Sequence, residues 1–363
     1  MTQIAIKGIG VTGGFGCGVA DLTSALESGI SRISEITVPS SHGELHLPAF
    51  RADIERLEDF VPKRNLRRID HYSKMGLLGA YMALADGGML GADFSRLGVV
   101  VASGYGATST TFAFLDSIIN DGDICASPTH FANSVHNSAA ANISIMLGAK
   151  GPNLTVSQFD MSVPSALVSA RQWLAEGRVD SVLFGAIDEL SDLISYLWHR
   201  QRDTERSDTI SPLAFGEESS IPGEGAAFML LTRKDARRAY CTIDTVDTGN
   251  LIGRRLTVPG DALLLLGADG RKELGDRYRA AVPKQSRVAC YAPVYGSMPA
   301  GAAFDLATAA LILQNGKAYP IPGAAGCSMD GTAVPLETTR ICALRLAGTN
   351  EYATVTMSAD SAS

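Results

Sequence analysis

The sequence has 363 residues, of which 46% are hydrophobic, and it carries a formal net charge of −7 at pH 7. This composition allows a large buried core, whereas the acidic balance and the lack of an apolar run of about 18 residues argue against nucleic-acid-binding and membrane-spanning proteins. The six cysteines have no paired spacing and the first residues lack a signal-peptide pattern, so we expect a reduced, cytoplasmic protein with no membrane insertion and no nucleic-acid partner.

The first half of the chain alternates predicted strands and helices. Hydrophobic periodicity predicts a strand at 4–9, helices at 19–28 and 67–88, a strand at 98–102, helices at 110–119 and 139–147, a strand at 154–156, a helix at 162–177 and a strand at 181–185. The polar stretch 201–220 is expected to form a surface excursion. Such alternation is typical of a layered α/β architecture in which helices pack on sheets.

The second half continues the alternation from residue 227. Strands are predicted at 227–231, 241–246, 263–266, 288–291, 341–346 and 353–357, and a helix is predicted at 304–313. Both halves contain a turn of small residues that leads into a helix. This is compatible with a tandem duplication, although the two halves share too little sequence to establish one.

Two patterns that could indicate a cofactor or a metal lack the required spacing. The glycine-rich start GIGVTGGFGCG, residues 8–18, is not a clean Gly-x-Gly-x-x-Gly, so tight backbone packing explains it better than dinucleotide binding. The six histidines form no ligand cluster, so no metal site is expected. His130 and His136 could contact a ligand, or they could simply be hydrogen-bonded in their loop.

The most informative stretch is GPNLTVSQFDMSVPSAL, residues 151–167, where a predicted strand turns sharply into a predicted helix at Phe159-Asp160-Met161. Many α/β enzymes place a nucleophile at such a turn, and here the residue is Asp160. A carboxylate at a helix N-terminus could be a plain cap, favoured by free N–H groups and the helix dipole. It could also be a nucleophile or a general base, roles that require a proton-transfer partner and an oxyanion stabiliser.

This turn resembles the corresponding motif of the β-ketoacyl synthase family, which has the thiolase fold. The glycine-rich start is similar to the family's opening block. Further similar blocks are spread over nearly the whole chain, namely SGYGA at 103–107, SPTHFANSVHNSAAANIS at 127–144, SPLAFGEESSIPGEGAAFMLL at 211–231 and YGSMPAGAAFDLATAALIL at 295–313. The resemblance implies a thiolase-like α/β fold of two similar halves in a five-layered α-β-α-β-α arrangement. The halves are expected at residues 1–235 and 236–363.

Departures from the family pattern decide the function that the resemblance implies. A condensing ketosynthase needs a cysteine nucleophile, two histidines and a lysine. The matching positions hold Asp160 for the cysteine, Ala268 and Ser297 for the histidines, and Ala292 for the lysine, and no histidine follows residue 199. The chain therefore resembles the chain-length factors, which lack the catalytic set and pair with an active ketosynthase. It also resembles the partner subunit of aryl-polyene synthases.

The resemblance further implies partners, an interface and a tunnel wall. The partner is an active ketosynthase, in a heterodimer or a heterotetramer, that acts on acyl chains carried by the phosphopantetheine of an acyl carrier protein, and no cofactor is expected in this chain. The interface is expected at strand 154–156 and helix 137–147, with Leu154, Thr155, Val156 and Asn142. The tunnel wall is expected from side chains that could equally be ordinary core, namely Phe112, Phe114, Leu115, His130, Phe131 and Val135.

Two other functions stay open from the sequence. Asp160 could act as the base of an autonomous acyl-thioester decarboxylase or hydrolase, although the missing histidines argue against such an enzyme. The chain could instead be a homodimeric binding protein for acyl thioesters. Pairing with a ketosynthase distinguishes a chain-length factor from both.

Overall fold

The computed structural model describes residues 3–29, 32–41, 43–201, 209–233, 239–253, 256–321 and 333–359. The strands are β1 (Ile4–Gly13), β2 (Gly16–Cys17), β3 (Ser34–Ser40), β4 (Gly43–Ala49), β5 (Leu97–Ala102), β6 (Asn153–Val156), β7 (Ser181–Asp188), β8 (Gly225–Arg233), β9 (Cys241–Asn250), β10 (Leu263–Leu266), β11 (Val288–Ala289), β12 (Lys317–Ala318), β13 (Val334–Pro335), β14 (Arg340–Leu346) and β15 (Glu351–Ser358). The α-helices are α1 (Val19–Ser28), α2 (His71–Asp86), α3 (Thr108–Asp121), α4 (Pro128–Ser134), α5 (Ser138–Leu147), α6 (Ser162–Ala175), α7 (Asp192–Gln201), α8 (Lys272–Ala281), α9 (Ala292–Tyr295) and α10 (Gly301–Asn315).

The main sheet consists of two strand series with the same pairing pattern. In the first half the order is β6-β5-β7-β8-β1, and in the second half it is β11-β10-β14-β15-β9. Each series begins with two parallel pairings and continues with two antiparallel ones. The series join where β1 pairs antiparallel with β9, so hydrogen bonding runs from one half into the other. The two halves of the fold are therefore alike in topology.

Two helices lie between the halves of the sheet. Helix α6 contacts β5 and β7 of the first half as well as β9 and β15 of the second, and α10 contacts strands of both halves in the same way. All side chains of α10 from Gly301 to Leu313 are buried, as expected for a helix that is apolar on every face. Helix α2 packs against β1, β7 and β8, and α8 packs against β14. The layered α/β class predicted from the sequence is confirmed.

The glycine-rich start forms a close contact between β1 and α2. A Cβ atom on Gly10 would lie 2.1 Å from the carbonyl oxygen of Gly79, and one on Gly8 would lie 2.3 Å from that of Ala83. No side chain fits at either distance, so only glycine allows the strand to approach the helix this closely. The packing interpretation of this segment is confirmed.

Most predicted elements occur with shifted ends, and each shift has a local cause. The helix predicted at 67–88 begins at His71, because the carboxylate of Asp70 caps it by accepting a hydrogen bond from the Ser73 N–H at 2.7 Å. The strand predicted at 288–291 ends at Ala289, because the short helix α9 follows it. The hairpin β3–β4 and the helices α7 and α8 were not predicted.

Two further expectations concern segments that lie partly or wholly outside the described residues. The stretch 201–220 was expected to be a surface excursion, but Ile210 and Ser220 are buried, and residues 202–208 lie outside the described ranges. The predicted boundary between the halves, at 235 and 236, also lies outside them.

Candidate functional site

The turn between β6 and α6 holds Asp160 in a buried position. The backbone N–H of Gln158 donates to the Ser162 hydroxyl at 2.7 Å, and this hydroxyl donates to the Ser103 carbonyl at 3.0 Å. Phe159 has a φ of 44°, in the left-handed region that non-glycine residues rarely adopt. Together these contacts produce a sharp elbow that directs the Asp160 side chain into the molecule, where the residue is 7% exposed.

Asp160 is not a helix cap. Met161 occupies the N-cap position of α6, and it has no side-chain capping hydrogen bond. The carboxylate of Asp160 faces two arginines instead. Arg271 donates to it in a fork, with Nη2–Oδ1 at 2.7 Å and Nη1–Oδ2 at 3.2 Å, and Arg345 donates through Nη2 to the same Oδ1. The capping interpretation of Asp160 is therefore wrong.

A second carboxylate completes this group. Asp269 accepts from the Nε of Arg271, at 3.0 Å to each oxygen, and its Oδ2 lies 2.8 Å from Nη2 of the same arginine. Its Oδ2 is also 4.0 Å from Nη2 of Arg345. We call Asp160, Asp269, Arg271 and Arg345 the buried charge cluster. Its two negative and two positive charges balance, which is the condition under which ions are tolerated in a protein interior.

The buried charge cluster connects the two halves of the fold. Asp269 and Arg271 follow the end of β10, whereas Arg345 lies in β14. Arg345 also donates to the carbonyls of Gly267 at 2.9 Å and Met298 at 3.2 Å. The elbow of the first half is thus anchored to two neighbouring strands of the second half.

The two arginines determine the ionisation state of Asp160. Burial by itself favours the neutral acid, but the positive charges of Arg271 and Arg345 and their hydrogen bonds outweigh it and hold the pKa of Asp160 well below its usual range. A general base works best when its pKa lies near the working pH. Asp160 is therefore a permanently ionised and hydrogen-bonded carboxylate, and it is a poor acceptor for a substrate proton.

The other predicted site positions lie around the buried charge cluster or behind it. Ser297 is buried, and its hydroxyl donates to the Asp269 carbonyl at 2.6 Å. Ala268 is buried next to Asp269, and its carbonyl accepts a hydrogen bond from the Cys290 thiol at 2.7 Å. Ala292 is buried at the start of α9. The structure thus brings Asp160, Ala268 and Ser297 to one region.

Sequence reasoning missed the other three members of the buried charge cluster. Two signals were present. Asp269 and Arg271 follow closely after the apolar strand β10, and Arg345 is a charge inside the apolar stretch 341–346 of β14. A charge at such positions needs a partner when it is buried. The partner itself could not be named, because nothing local in the sequence connects these positions to residue 160.

A cavity of about 610 Å³ opens onto the buried charge cluster. Its lining includes Asp160 and Arg271 together with Glu218, Lys272 and Glu273. A cavity of this size falls in the range that holds small-molecule ligands. The ion pair of Asp160 and Arg271 forms part of this lining. A thiol, the group required for covalent acyl transfer in a ketosynthase, is not among its described lining residues.

Another buried carboxylate, that of Asp188, organises the turn that precedes α3. Asp188 accepts from the N–H groups of Gly104 at 2.8 Å, Tyr105 at 3.0 Å and Ala300 at 2.7 Å. Burial raises its pKa to about 6, against the opposing effect of these hydrogen bonds. Asp188 therefore ties the SGYGA turn to the start of α10.

Asp305, on α10, gives a testable pH dependence. Burial raises its pKa from about 3.8 to about 7, although the hydroxyl of Tyr295 donates to it and the charge of Arg345 opposes the rise. The folded state then holds this proton more tightly than the unfolded chain does. Its stabilising contribution is complete below about pH 4 and is lost as the pH rises through 7. We expect the wild type to lose up to about 4 kcal/mol of unfolding free energy as the pH rises through this window. The Asp305→Asn variant should not show this loss.

The measurement is urea unfolding of the wild type and the Asp305→Asn variant between pH 4 and 8. Asparagine keeps the size of the side chain and an oxygen that accepts from Tyr295, so the variant is expected to fold. Asp188 titrates in the same direction in both proteins and cancels in the difference. A difference in free energy that stays constant across this range would show that Asp305 is ionised throughout.

The predicted tunnel-wall residues form a separate surface. They lie on α3, on α4 and at Val135, the residue after α4. Phe112, Leu115, Phe131 and Val135 are 38–58% exposed, so they are not core residues of this chain. The rings of Phe114 and Phe131 pack together with centroids 5.4 Å apart. The set that shares this surface is Phe112, Phe114, Leu115, His130, Phe131 and Val135, which we call the apolar surface.

The predicted interface residues lie at the end of the sheet. β6, which contains Leu154, Thr155 and Val156, is the last strand of the first series, and within the described ranges its strand partner is β5. Asn142 lies on α5 and is half-buried. The free edge of β6 offers unpaired backbone groups to another chain.

His136, a candidate for ligand contact from the sequence, packs its ring over Gly106 and does not line the 610 Å³ cavity.

The described part of the chain contains neither a cluster of metal ligands nor a helix that could span a membrane. No group of three or more histidine, cysteine, aspartate or glutamate residues there could hold a metal ion. None of its helices is both long enough and apolar enough to cross a membrane.

Comparison with known proteins gives a consistent result. The model of the β-ketoacyl synthase N-terminal domain matches residues 1–236. The 3-oxoacyl-[acyl-carrier-protein] synthase 2 of Vibrio harveyi is 23% identical over 246 residues, which cover 65% of this chain and 59% of that protein. The putative polyketide β-ketoacyl synthase 1 of Streptomyces virginiae is 30% identical over 256 residues, covering 66% of this chain and 60% of that protein. The chain thus matches about three fifths of the length of these relatives.

A solved structure matches over almost the full length. The ishigamide ketosynthase/chain length factor superposes with a TM-score of 0.79 and 17% sequence identity, and the match covers 98% of this chain and 99% of that one. At this level of identity the likeness establishes the fold, which is thiolase-like as predicted.

Proposed function

This chain belongs to the β-ketoacyl synthase family, and from that membership we propose that it is a non-catalytic subunit of the chain-length-factor type. It would pair with an active ketosynthase and shape the tunnel into which the growing acyl chain extends. The ketosynthase would supply the cysteine and histidines and receive substrates from an acyl carrier protein. The product class that we propose is a polyketide or polyene, with aryl polyenes as the specific candidate.

One observation carries this proposal: the residue at the nucleophile elbow is an aspartate neutralised by two arginines. A covalent carrier must present a nucleophilic atom to the acyl group, and it needs a base that accepts its proton. Asp160 has both oxygens engaged and a strongly lowered pKa. The same geometry opposes the alternative in which Asp160 is the base of a decarboxylase or hydrolase.

A partner surface supports the subunit role. β6 is the outermost strand of the first series, and α3, which carries part of the apolar surface, follows the carboxyl end of the neighbouring parallel strand β5. Large side chains that stay exposed in a single chain typically mark an interface. The acyl chain of the partner would reach this chain at the apolar surface, which provides a hydrophobic wall.

The test is a condensation assay with the chain alone and in combination. The chain is expressed by itself and together with each ketosynthase of its source organism, and malonyl-carrier condensation and product length are followed by mass spectrometry. We expect no turnover by the chain alone and products of defined length from one pair. Turnover by the chain alone would contradict the proposal, and so would a chain that binds acyl thioesters as a stable homodimer without engaging any ketosynthase.

Truncating the apolar surface should lengthen the products. We expect Phe112→Ala and Phe131→Ala each to shift products by one or more extension units. The lost ring makes room for additional methylenes, which otherwise force side chains off their rotamers at a cost of about 1–3 kcal/mol. Product masses from the paired enzyme provide the measurement.

The control for this shift is Leu90→Ala. Leu90 is similarly exposed, at 46%, but it lies in the turn before β5, whereas α3 and the apolar surface follow β5. It should leave product length unchanged. Equal shifts from all three variants, or no shift from either phenylalanine variant, would show that the apolar surface does not face the acyl chain.

A further inference from the structure

Phe159 combines two features that the isolated chain does not explain. Its backbone φ is 44°, and the other non-glycine residue with a positive φ among the described residues is Asn350, a residue type that tolerates this region. Phenylalanine is poorly suited to it, and glycine would adopt it without strain. Such outliers persist where the surrounding structure imposes them, often at functional positions.

The side chain of Phe159 is stabilised little by packing within its own chain. It is 67% exposed, although the neighbouring Asp160 and Met161 are buried. A large aromatic ring is normally stabilised by burial. Neither the backbone preference nor the packing within this chain therefore favours phenylalanine at position 159.

Phe159 lies beside the free edge of the sheet. It follows β6 by three residues, and its Cα is 3.5 Å from the point that a Cβ on Gly104 would occupy. Gly104 belongs to the turn that leads from β5 to α3. Phe159 therefore lies just beyond the carboxyl end of the edge strand β6, next to the turn from which α3 begins.

We propose that Phe159 is the aromatic anchor of the partner interface. Its ring packs against an apolar part of the ketosynthase subunit that pairs along β6, and the buried charge cluster holds the strained elbow that presents it. This inference rests on the proposed function. Aromatic residues at the fully buried centre of an interface commonly carry a large share of the binding energy.

The experiment compares partner affinity and folding stability for three variants. Phe159→Ala and Phe159→Gly remove the ring, and the glycine variant also relieves the backbone. Ile252→Ala is the matched control, because Ile252 is 73% exposed but follows β9 in the other half. Dissociation constants for the ketosynthase are measured by surface plasmon resonance, and unfolding of the isolated chain is measured in urea.

We expect both Phe159 variants to weaken partner binding by roughly 30-fold or more, and Ile252→Ala to leave it unchanged. The glycine variant should be at least as stable as the alanine variant. A ketosynthase that binds the wild type and Phe159→Ala equally well would overturn the anchor while leaving the proposed function intact. Loss of a homodimer, with no ketosynthase bound, would overturn both. A wild type that pairs with no ketosynthase would overturn the proposed function.

Discussion

Replacing Asp160 by alanine is expected to lower the free energy of unfolding by about 3–5 kcal/mol, without lowering the turnover of each folded complex. The substitution removes the carboxylate on which two guanidinium groups converge, that of the buried Arg345 and that of the partly buried Arg271. Asp269 remains, but one carboxylate then faces both arginines. Removing one partner of a buried ion pair leaves an uncompensated charge, which lowers the stability more than replacing both partners does.

Two substitutions serve as controls for this result. Asp160→Asn keeps the size of the side chain and an acceptor oxygen, so it should cost less than alanine. Asp180→Ala removes an exposed carboxylate that lies 2.8 Å from Nε of Arg96, and exposed pairs contribute little to stability. Its effect on unfolding should therefore be far smaller. Urea unfolding of all four proteins gives these comparisons directly.

The turnover of the complex shows whether Asp160 has a structural or a catalytic role. The catalytic rate is measured per mole of folded heterodimer, so that loss of protein through unfolding does not lower it. If Asp160→Asn and Asp160→Ala both fold and pair but do not turn over, Asp160 takes part in the reaction and the non-catalytic proposal is wrong. Unchanged turnover with reduced stability assigns the carboxylate to the fold.

The elements that position the site were predictable from local sequence. β5, β10 and the centre of β7, residues 182–187, are apolar runs, as expected for strands covered on both faces. The elbow was visible as a short strand, an abrupt turn and an amphipathic helix within residues 151–177. The hairpin β3–β4 was missed because its exposed residues alternate weakly, and its burial pattern shows few buried positions.

The role of Asp160 could not be predicted in the same way. Its partners Arg271 and Arg345 are 111 and 185 residues away in sequence, so only the tertiary fold brings them together. The position of the elbow could be recognised from the local sequence, and the resemblance identified it as a nucleophile elbow. The chemical state of the residue there could not, because it depends on charges contributed by the other half of the chain.

Replacing Thr155 by proline is expected to abolish pairing with the ketosynthase while the chain itself stays folded. The N–H groups of Val99, on β5, and of Ser103, the residue after β5, donate to the carbonyls of Pro152 and Val156, each at 3.0 Å. Because backbone groups alternate in direction along a strand, the N–H and carbonyl of Thr155 point to the free edge. Proline removes that donor and is tolerated where the N–H faces outward. We expect the dissociation constant to rise at least about 100-fold.

The matched control is Thr155→Val, which changes the side chain and keeps the backbone donor. Among the described residues the Thr155 hydroxyl is buried without a hydrogen-bond partner, so valine should neither destabilise the chain nor weaken pairing. Urea unfolding must show that the proline variant is folded, and sedimentation then measures its assembly. If the proline variant is folded and still pairs as tightly as the valine variant, the subunits do not join through a sheet continued across β6, and assembly must use a different surface.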